Sequence, residues 1–310
     1  MFGFGTKKIR IVTHSGGFHA DDVFGVATLL HYFKKDIRAV EIIRTRDDAI
    51  ISAGEYVLDV GNEYDPTRNR FDHHQESFTE TRVNGVPYAS FGLLWKEFGE
   101  SICGNKAVAE VIDQTLVTSI DAGDNGFTLM TPKLDTARVY SVSQVIGAFN
   151  PVGTASDKEY LSAFKNAVQF ATEHLARVIE EASYEEQLRD DILASYEGAS
   201  RKDLLVLDDA KGWPRGYISM VLNTFPDTVF FVRQHLDGTW QTVAVQEPEY
   251  RSRVALPEPW RGLRDEALQQ VSGISDGVFC HKTGFMMVTK TKEGAIKAAE
   301  KALAYAQREA

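Results

Sequence analysis

Four of the eight histidines stand in two short clusters rich in aspartate: His14-Ser15-Gly16-Gly17-Phe18-His19-Ala20-Asp21-Asp22 and Asp72-His73-His74. Asp59 lies between them, in Asp59-Val60-Gly61. Imidazoles mixed with carboxylates suit a divalent ion that prefers nearly octahedral geometry, manganese ahead of magnesium, better than a thiolate-bound structural zinc. Several carboxylates near several histidines point to two ions. A two-metal site activates water and stabilises charge on a phosphoryl group, so phosphoester hydrolysis is the expected chemistry. Two cations held close together need a bridging carboxylate, and Asp59 is the candidate. Any one of these segments reads equally well as a turn or a helix cap, and it is the coincidence of three that favours a metal centre. Asp121 and Asp124, in Asp121-Ala122-Gly123-Asp124-Asn125-Gly126, are ligands or ordinary loop residues on this reading. His31, His174 and His235 are read as structural.

The elements around these residues follow from periodicity. Ile9 to Thr13 is a β-branched run, the Ser15-Gly16-Gly17 turn follows His14, and Ala20 to Phe33 repeats at helical spacing. Val40 to Thr45 and Tyr56 to Val60 give further strands, which implies βαβ units and a mostly parallel sheet. Ligands in such sheets gather beyond the carboxyl ends of the strands, where all three segments fall. Helices are expected over Ser90 to Glu100 and Ala107 to Ile120, then a loop from Asp121 to Gly126 and a break at Asn150-Pro151-Val152-Gly153. Ser156 and Glu159 form a capping-box pattern that opens a long helix, with the domain junction near Glu197-Gly198. Strands are expected over Leu204 to Leu207, Ile218 to Leu222, Val229 to Arg233 and Thr239 to Val245, with Asp237-Gly238 as a hairpin turn. Lys292 to Arg308 is the last helix. The expected organisation is therefore a catalytic domain over 1–155, a connecting helix over 156–198 and a C-terminal domain over 199–310.

With 310 residues and 43% hydrophobic content, the chain has material for a large core, which excludes disorder and a disulfide-stapled mini-protein. No apolar run of membrane length and no signal-peptide pattern occurs, so the expectation is a cytosolic, soluble protein. Cys103 and Cys280 lack metal-ligand spacing and are read as inert thiols. The net charge of −10 is spread evenly: residues 1–150 hold 15 basic and 20 acidic side chains, and the remainder holds 19 and 24. Neither part is a basic arm, which argues against coating of duplex DNA. Neither a strand followed by GxGxxG nor a P-loop occurs, so no redox cofactor is expected.

Taken in order, Thr13-His14-Ser15-Gly16, Phe18-His19-Ala20-Asp21, Leu58-Asp59-Val60-Gly61 and Phe71-Asp72-His73-His74-Gln75 resemble the family named after a melanocyte proliferating gene, a branch of the DHH phosphoesterase superfamily. The resemblance continues through Leu256 to Glu266 and Phe279 to Phe285, and so covers nearly the whole chain. It implies an N-terminal DHH-type domain with a mostly parallel sheet, carrying two manganese ions, and a smaller C-terminal α+β domain closing over the substrate. By motif, His14, His19 and Asp59 would hold one ion, and Asp21, Asp59, His73 and Asp121 the other. His74 would face the phosphate as hydrogen-bond donor or acid, Asp72 would orient a histidine, and Asp22 joins them as a candidate catalytic carboxylate. One departure stands out: the superfamily usually has aspartate four residues after the first histidine, where this chain has Phe18, with His19 one step later. The implied activity is 3′-to-5′ exonuclease action on single-stranded RNA or short oligoribonucleotides.

Substrate length would be set by the second domain. Arg251, Arg253, Arg261 and Arg264 surround Trp260 with only Glu249 and Glu258 nearby, which reads as a basic patch with an aromatic platform for single-stranded nucleic acid, or as a core tryptophan with arginines on a solvated face. His281, Lys282 and Gly284 are either a phosphate cradle or a β-turn, and the resemblance tips them toward substrate binding. The rival readings of function are a phosphatase for pyrophosphate or a cyclic dinucleotide, and a non-catalytic RNA-binding protein.

Overall fold

A computed structural model describes residues 8–131, 134, 136, 139–207, 212, 214–247 and 251–309. The chain divides into two compact units, Met1–Ser183 and Tyr184–Ala310.

In the first unit β1 (Ile9–Thr13) pairs in parallel with β2 (Val40–Arg44) and β3 (Tyr56–Leu58), while β4 (Tyr64–Asp65) is antiparallel to β5 (Arg70–Phe71) at the far edge. The order β2-β1-β3-β5-β4 makes a mostly parallel sheet, the expected α/β class. Helix α1 (Ala20–Phe33) crosses from β1 to β2 and packs on α3 (Ser90–Cys103), the short α2 (Asp48–Ser52) lying between β2 and β3. Val23, Phe24, Ala27 and Leu30 of α1 recur at helical spacing and are buried among Phe91, Leu94, Val168 and Leu175. Gly25 lets α1 lie close to both β3 and α3, since a Cβ there would fall 2.5 Å from Leu58 Cδ1 and 2.9 Å from Leu94 Cδ1.

The expected helix over 107–120 is not uniform. Lys106–Ile112 is α4, Asp113–Val117 is a π-helical turn, and Thr118–Asp124 is α5. The helix thus runs through Asp121 to Asp124, where composition indicated a loop. After α6 (Val142–Gly147), the Ser156–Glu159 box opens α7 (Asp157–Gly198), with Ser156 N donating to Glu159 Oε2 at 2.8 Å.

The division between units falls inside α7 rather than at its end, because Leu188 and Ile192 belong to the core of the second unit. That unit holds a sheet of order β11-β12-β8-β7-β6, built from β6 (Leu204–Leu207), β7 (Phe230–Gln234), β8 (Trp240–Ala244), β11 (Gly277–Cys280) and β12 (Met286–Thr289). β9 (Gln246–Glu247) and β10 (Arg251–Ser252) form a separate ribbon. Alternate residues face opposite layers: Leu204, Phe230 and Val232 pack against Ala295, Ala298 and Ala302 of α10 (Lys292–Glu309), whereas Leu205, Leu207 and Phe231 pack with Leu188 and Ile192. Residues 218–222, expected as a strand, are part of helix α8 (Arg215–Leu222). Tyr217, Ile218, Val221 and Leu222 are its buried apolar positions, a helical spacing that a five-residue window cannot separate from a buried strand. Helix α9 is Asp265–Ser272. Among the described residues no helix is long and apolar enough to cross a membrane.

Candidate metal centre

His14 directly follows β1 and Asp59 directly follows β3, so two neighbouring parallel strands deliver them side by side. His14 Nε2 lies 3.2 Å from Asp59 Oδ2 and 3.3 Å from Asp22 Oδ2. Its Nδ1 faces the Ser15 carbonyl at 3.1 Å, which places the ring proton there and turns the Nε2 lone pair inward. Asp59 has a backbone φ of +54°, a strained value for a residue with a Cβ. Asp21 and Asp22 open α1 and are both 0% exposed. Asp22 Oδ1 accepts the His19 backbone N–H at 3.0 Å, and His19 is the residue that caps the helix.

The second cluster follows β5. His73 Nε2 points at Asp124 Oδ2 (3.2 Å), Asp59 Oδ1 (3.6 Å) and Asp21 Oδ2 (3.9 Å). Asp72 is turned away from this point: its carboxylate accepts the Asn62 and His73 backbone N–H groups at 2.6 and 2.8 Å and the His74 Nδ1–H at 2.7 Å. Asp72 therefore fixes the imidazole of His74, whose side chain is 56% exposed.

Crowding gives the centre its electrostatics. Burial opposes charge on His14, but Asp22 and Asp59 outweigh it and push the ring up to about 10. His73 is pushed up to about 10 in the same way, against burial, by Asp124 and Asp59. Asp59 is raised by burial, yet His14 and His73 hold it below the ordinary carboxylate range. Burial, then Asp59, Asp124 and Asp22, push Asp21 well upward.

The donors fit a metal. His14 Nε2, both oxygens of Asp21, Asp22 Oδ2, Asp59 Oδ1 and His73 Nε2 are buried without an aligned hydrogen bond, an arrangement that is costly unless a cation satisfies it. His14, His19 and Asp59 offer ligand atoms within 4.8 Å of one another, as do Asp59, His73 and His74, then His19, Asp21 and Asp124, and also Asp21, Asp22 and Asp59. Asp59 shares three of these groups, which suits a bridging position.

Asp121, expected as a ligand, stands elsewhere. Its Oδ2 is 2.8 Å from Arg82 Nη1 and its Oδ1 accepts the Gly92 N–H at 3.0 Å. Burial pushes it up to about 7, against the pull of Arg82. Asp124, one helical turn on, occupies the place beside His73 and Asp21 instead.

The second unit corrects further expectations. Trp260 is only 6% exposed and packs in the core with Leu204, Phe230 and Ala298, so it offers no face for a base. The Arg253 guanidinium is spent on the carbonyls of Leu222, Asn223, Phe225 and Thr228, tying down the end of α8. Arg261 Nε donates to the Leu256 carbonyl, Arg264 lies over the Phe279 ring, and exposed Arg251 pairs with Glu247. His281 to Gly284 is a tight turn joining β11 and β12: Gly284 N donates to the His281 carbonyl at 2.8 Å, Gly284 has φ +73° and is buried, and Lys282 is exposed. Glu249 lies outside the described residues.

A mostly parallel α/β sheet with imidazoles and carboxylates gathered beyond its strand ends is an arrangement suited to divalent-metal hydrolase chemistry. The chain belongs to the MYG1 family: the family described as "MYG1_exonuc: Uncharacterised protein family (UPF0160)" matches residues 10–303. A human protein named MYG1 exonuclease is 33% identical over 332 residues, covering 95% of this chain and 86% of its own length. The MYG1 protein of Chlamydia trachomatis is 30% identical, covering 91% and 92%. Among solved structures, a pGpG-specific phosphodiesterase, PggH, of Vibrio aligns over 96% of this chain and 97% of its own at 15% identity, with a TM-score of 0.30. RecJ of Thermus thermophilus in complex with Mn2+ aligns over 96% and 52%, also at 15% identity, with a TM-score of 0.31.

Proposed function

We propose that the protein is a manganese-dependent phosphodiesterase and, within that class, a 3′-to-5′ exonuclease acting on single-stranded RNA or short oligoribonucleotides. The observation that carries this reading is the gathering of the unsatisfied donor atoms of His14, Asp21, Asp22, Asp59 and His73 at one centre, in a chain whose mammalian relatives are named exonucleases. In this reading His14, His19 and Asp59 hold one ion, and Asp21, Asp59, His73 and Asp124 hold the other. When bound, the ions would supply Lewis acidity toward a phosphoryl group and acidify water.

The chain's own residues do the rest. His74, held by Asp72 through Nδ1, presents Nε2 for a hydrogen bond to a phosphate oxygen or for proton donation to the departing sugar oxygen. Asp22 keeps His14 and the first turn of α1 in register. In the second unit half-buried His281, exposed Lys282 and exposed Arg251 are the groups best able to contact the backbone of an oligonucleotide, whereas Arg253, Trp260 and Gly284 act as scaffold.

Parallel digestion of 5′-labelled and 3′-labelled single-stranded RNA with manganese tests this. A ladder shortening by single nucleotides from the 3′ end is expected. Release of the 3′ label only at the end of the reaction would reverse the direction, and turnover of pyrophosphate or a cyclic dinucleotide with intact RNA would replace the substrate class.

A further inference from the structure

A cavity of about 280 Å³ opens on the centre, lined by His14, His19, Asp59, Asp72 and His74 together with Arg46. That volume lies at the small end for ligand sites and suits one phosphate-centred group better than a whole nucleotide chain. Arg46 reaches it because β1 and β2 run in parallel with Thr13 opposite Arg44, and Thr45 N donates to the Thr13 carbonyl. The chain therefore leaves both strands at the same level, with His14 beyond one and Arg46 beyond the other.

Arg46 is exposed, so its guanidinium is open to solvent at the cavity mouth. Among the described residues it forms no ion pair, and its recorded polar contact is Nη2 to His14 Nδ1 at 3.4 Å. That nitrogen carries the proton facing Ser15 O when Nε2 is the ligating atom, so it offers no lone pair, and the solvent-exposed guanidinium stays available to an incoming anion. A fixed positive charge beside a metal ligand also works against loading of a cation. It makes physical sense if the occupant that follows the cation is an anion.

The geometry points to Arg46 as the residue that grips the non-bridging oxygens of the substrate phosphate at the mouth of the metal cavity. A planar fork of N–H groups matches two phosphate oxygens, which an ammonium cannot do. This assignment rests on the phosphodiesterase reading above.

The test compares wild type, Arg46→Gln and Arg46→Lys, loaded with manganese, for metal content, melting temperature, KM and kcat on single-stranded RNA, and inhibition by inorganic phosphate. Arg46→Gln should keep its metal and its melting temperature while inhibition by phosphate weakens about tenfold and KM rises by a similar factor. Arg46→Lys should fall between the two, and it supplies the comparison if the Gln variant does not fold. Unchanged phosphate inhibition in a metal-loaded variant overturns the assignment. So does loss of metal in Arg46→Gln, which would make Arg46 a support for His14. A wild-type protein that neither cleaves a phosphodiester nor binds phosphate would instead bring down the phosphodiesterase reading, and the assignment with it.

Discussion

Asn150 and Phe18, 132 residues apart, exchange two hydrogen bonds: Phe18 N donates to Asn150 Oδ1 at 3.0 Å, and Asn150 Nδ2 donates to the Phe18 carbonyl at 2.9 Å. The pair clamps the loop between His14 and His19 from one side. From the other, Arg44 donates to the Gly16 carbonyl at 2.9 Å while lying over the Phe18 and Phe164 rings. The ligand spacing of the first motif thus depends on residues outside it. Asn150→Ala should weaken manganese affinity about 10- to 100-fold, as loss of outer supports does in other metal sites, and lower stability by about 1–2 kcal/mol. Equilibrium dialysis against manganese, with a thermal melt, would read both, and unchanged affinity would show that the loop holds its own shape.

Asp121 and Asp124 should separate cleanly. Asp124→Asn is expected to reduce metal content and abolish turnover with little change in folding. Asp121→Asn should keep its metal but lose about 1–3 kcal/mol, because Arg82 is buried against it. Gly92→Ala belongs with the second class: its Cβ would fall 1.8 Å from Asp121 Oδ2, so either Asp121 or α3 must shift, at a cost of about 1–3 kcal/mol. Denaturant melts alongside metal analysis distinguish the two, and metal loss in Asp121→Asn would restore Asp121 as a ligand.

Arg253→Ala should act on stability, not on substrate. Removing the guanidinium takes a donor from four carbonyls at the end of α8, of which Leu222 and Phe225 keep a backbone N–H, and this predicts a loss of about 1–3 kcal/mol. Affinity for single-stranded RNA, measured by fluorescence anisotropy below the melting temperature, should stay within about twofold, less than the loss of one charged contact.

Both thiols should be silent. Burial pushes Cys103 and Cys280 up to about 11, so neither carries appreciable thiolate at pH 8. A thiol reagent should label the native protein slowly and the denatured protein at once. The sign of the pH effect follows: above about pH 9 the unfolded thiols ionise while the folded ones do not, so these two groups lower stability as pH rises. Fast native labelling at pH 8 would contradict the burial.

The sequence is most informative where chemistry and strand ends coincide. His14, Asp59 and Asp72-His73-His74 are legible because β-branched runs end immediately before them, and α/β sheets place such residues on one edge. Asp124 is not, since Asp121 and Asp124 share one loop-like stretch. The π turn over Asp113–Val117 changes the helical phase by one residue, about 100° at 3.6 residues per turn, and nothing in composition announces it. Trp260 and Arg253 mislead for a different reason. A basic, aromatic stretch looks the same whether its arginines meet phosphates or carbonyls, and only the fold decides. Arg46 and Asn150 each depend on a partner far away in the chain, which local spacing does not reveal.

The most direct test of the central claim is manganese-dependent cleavage of single-stranded RNA by wild type beside Asp59→Asn, with bound manganese counted in both. Two ions per chain and progressive shortening of RNA in wild type, both lost in the variant, are the predicted result. Equal cleavage by the two proteins, or cleavage that persists after manganese is removed, would contradict it.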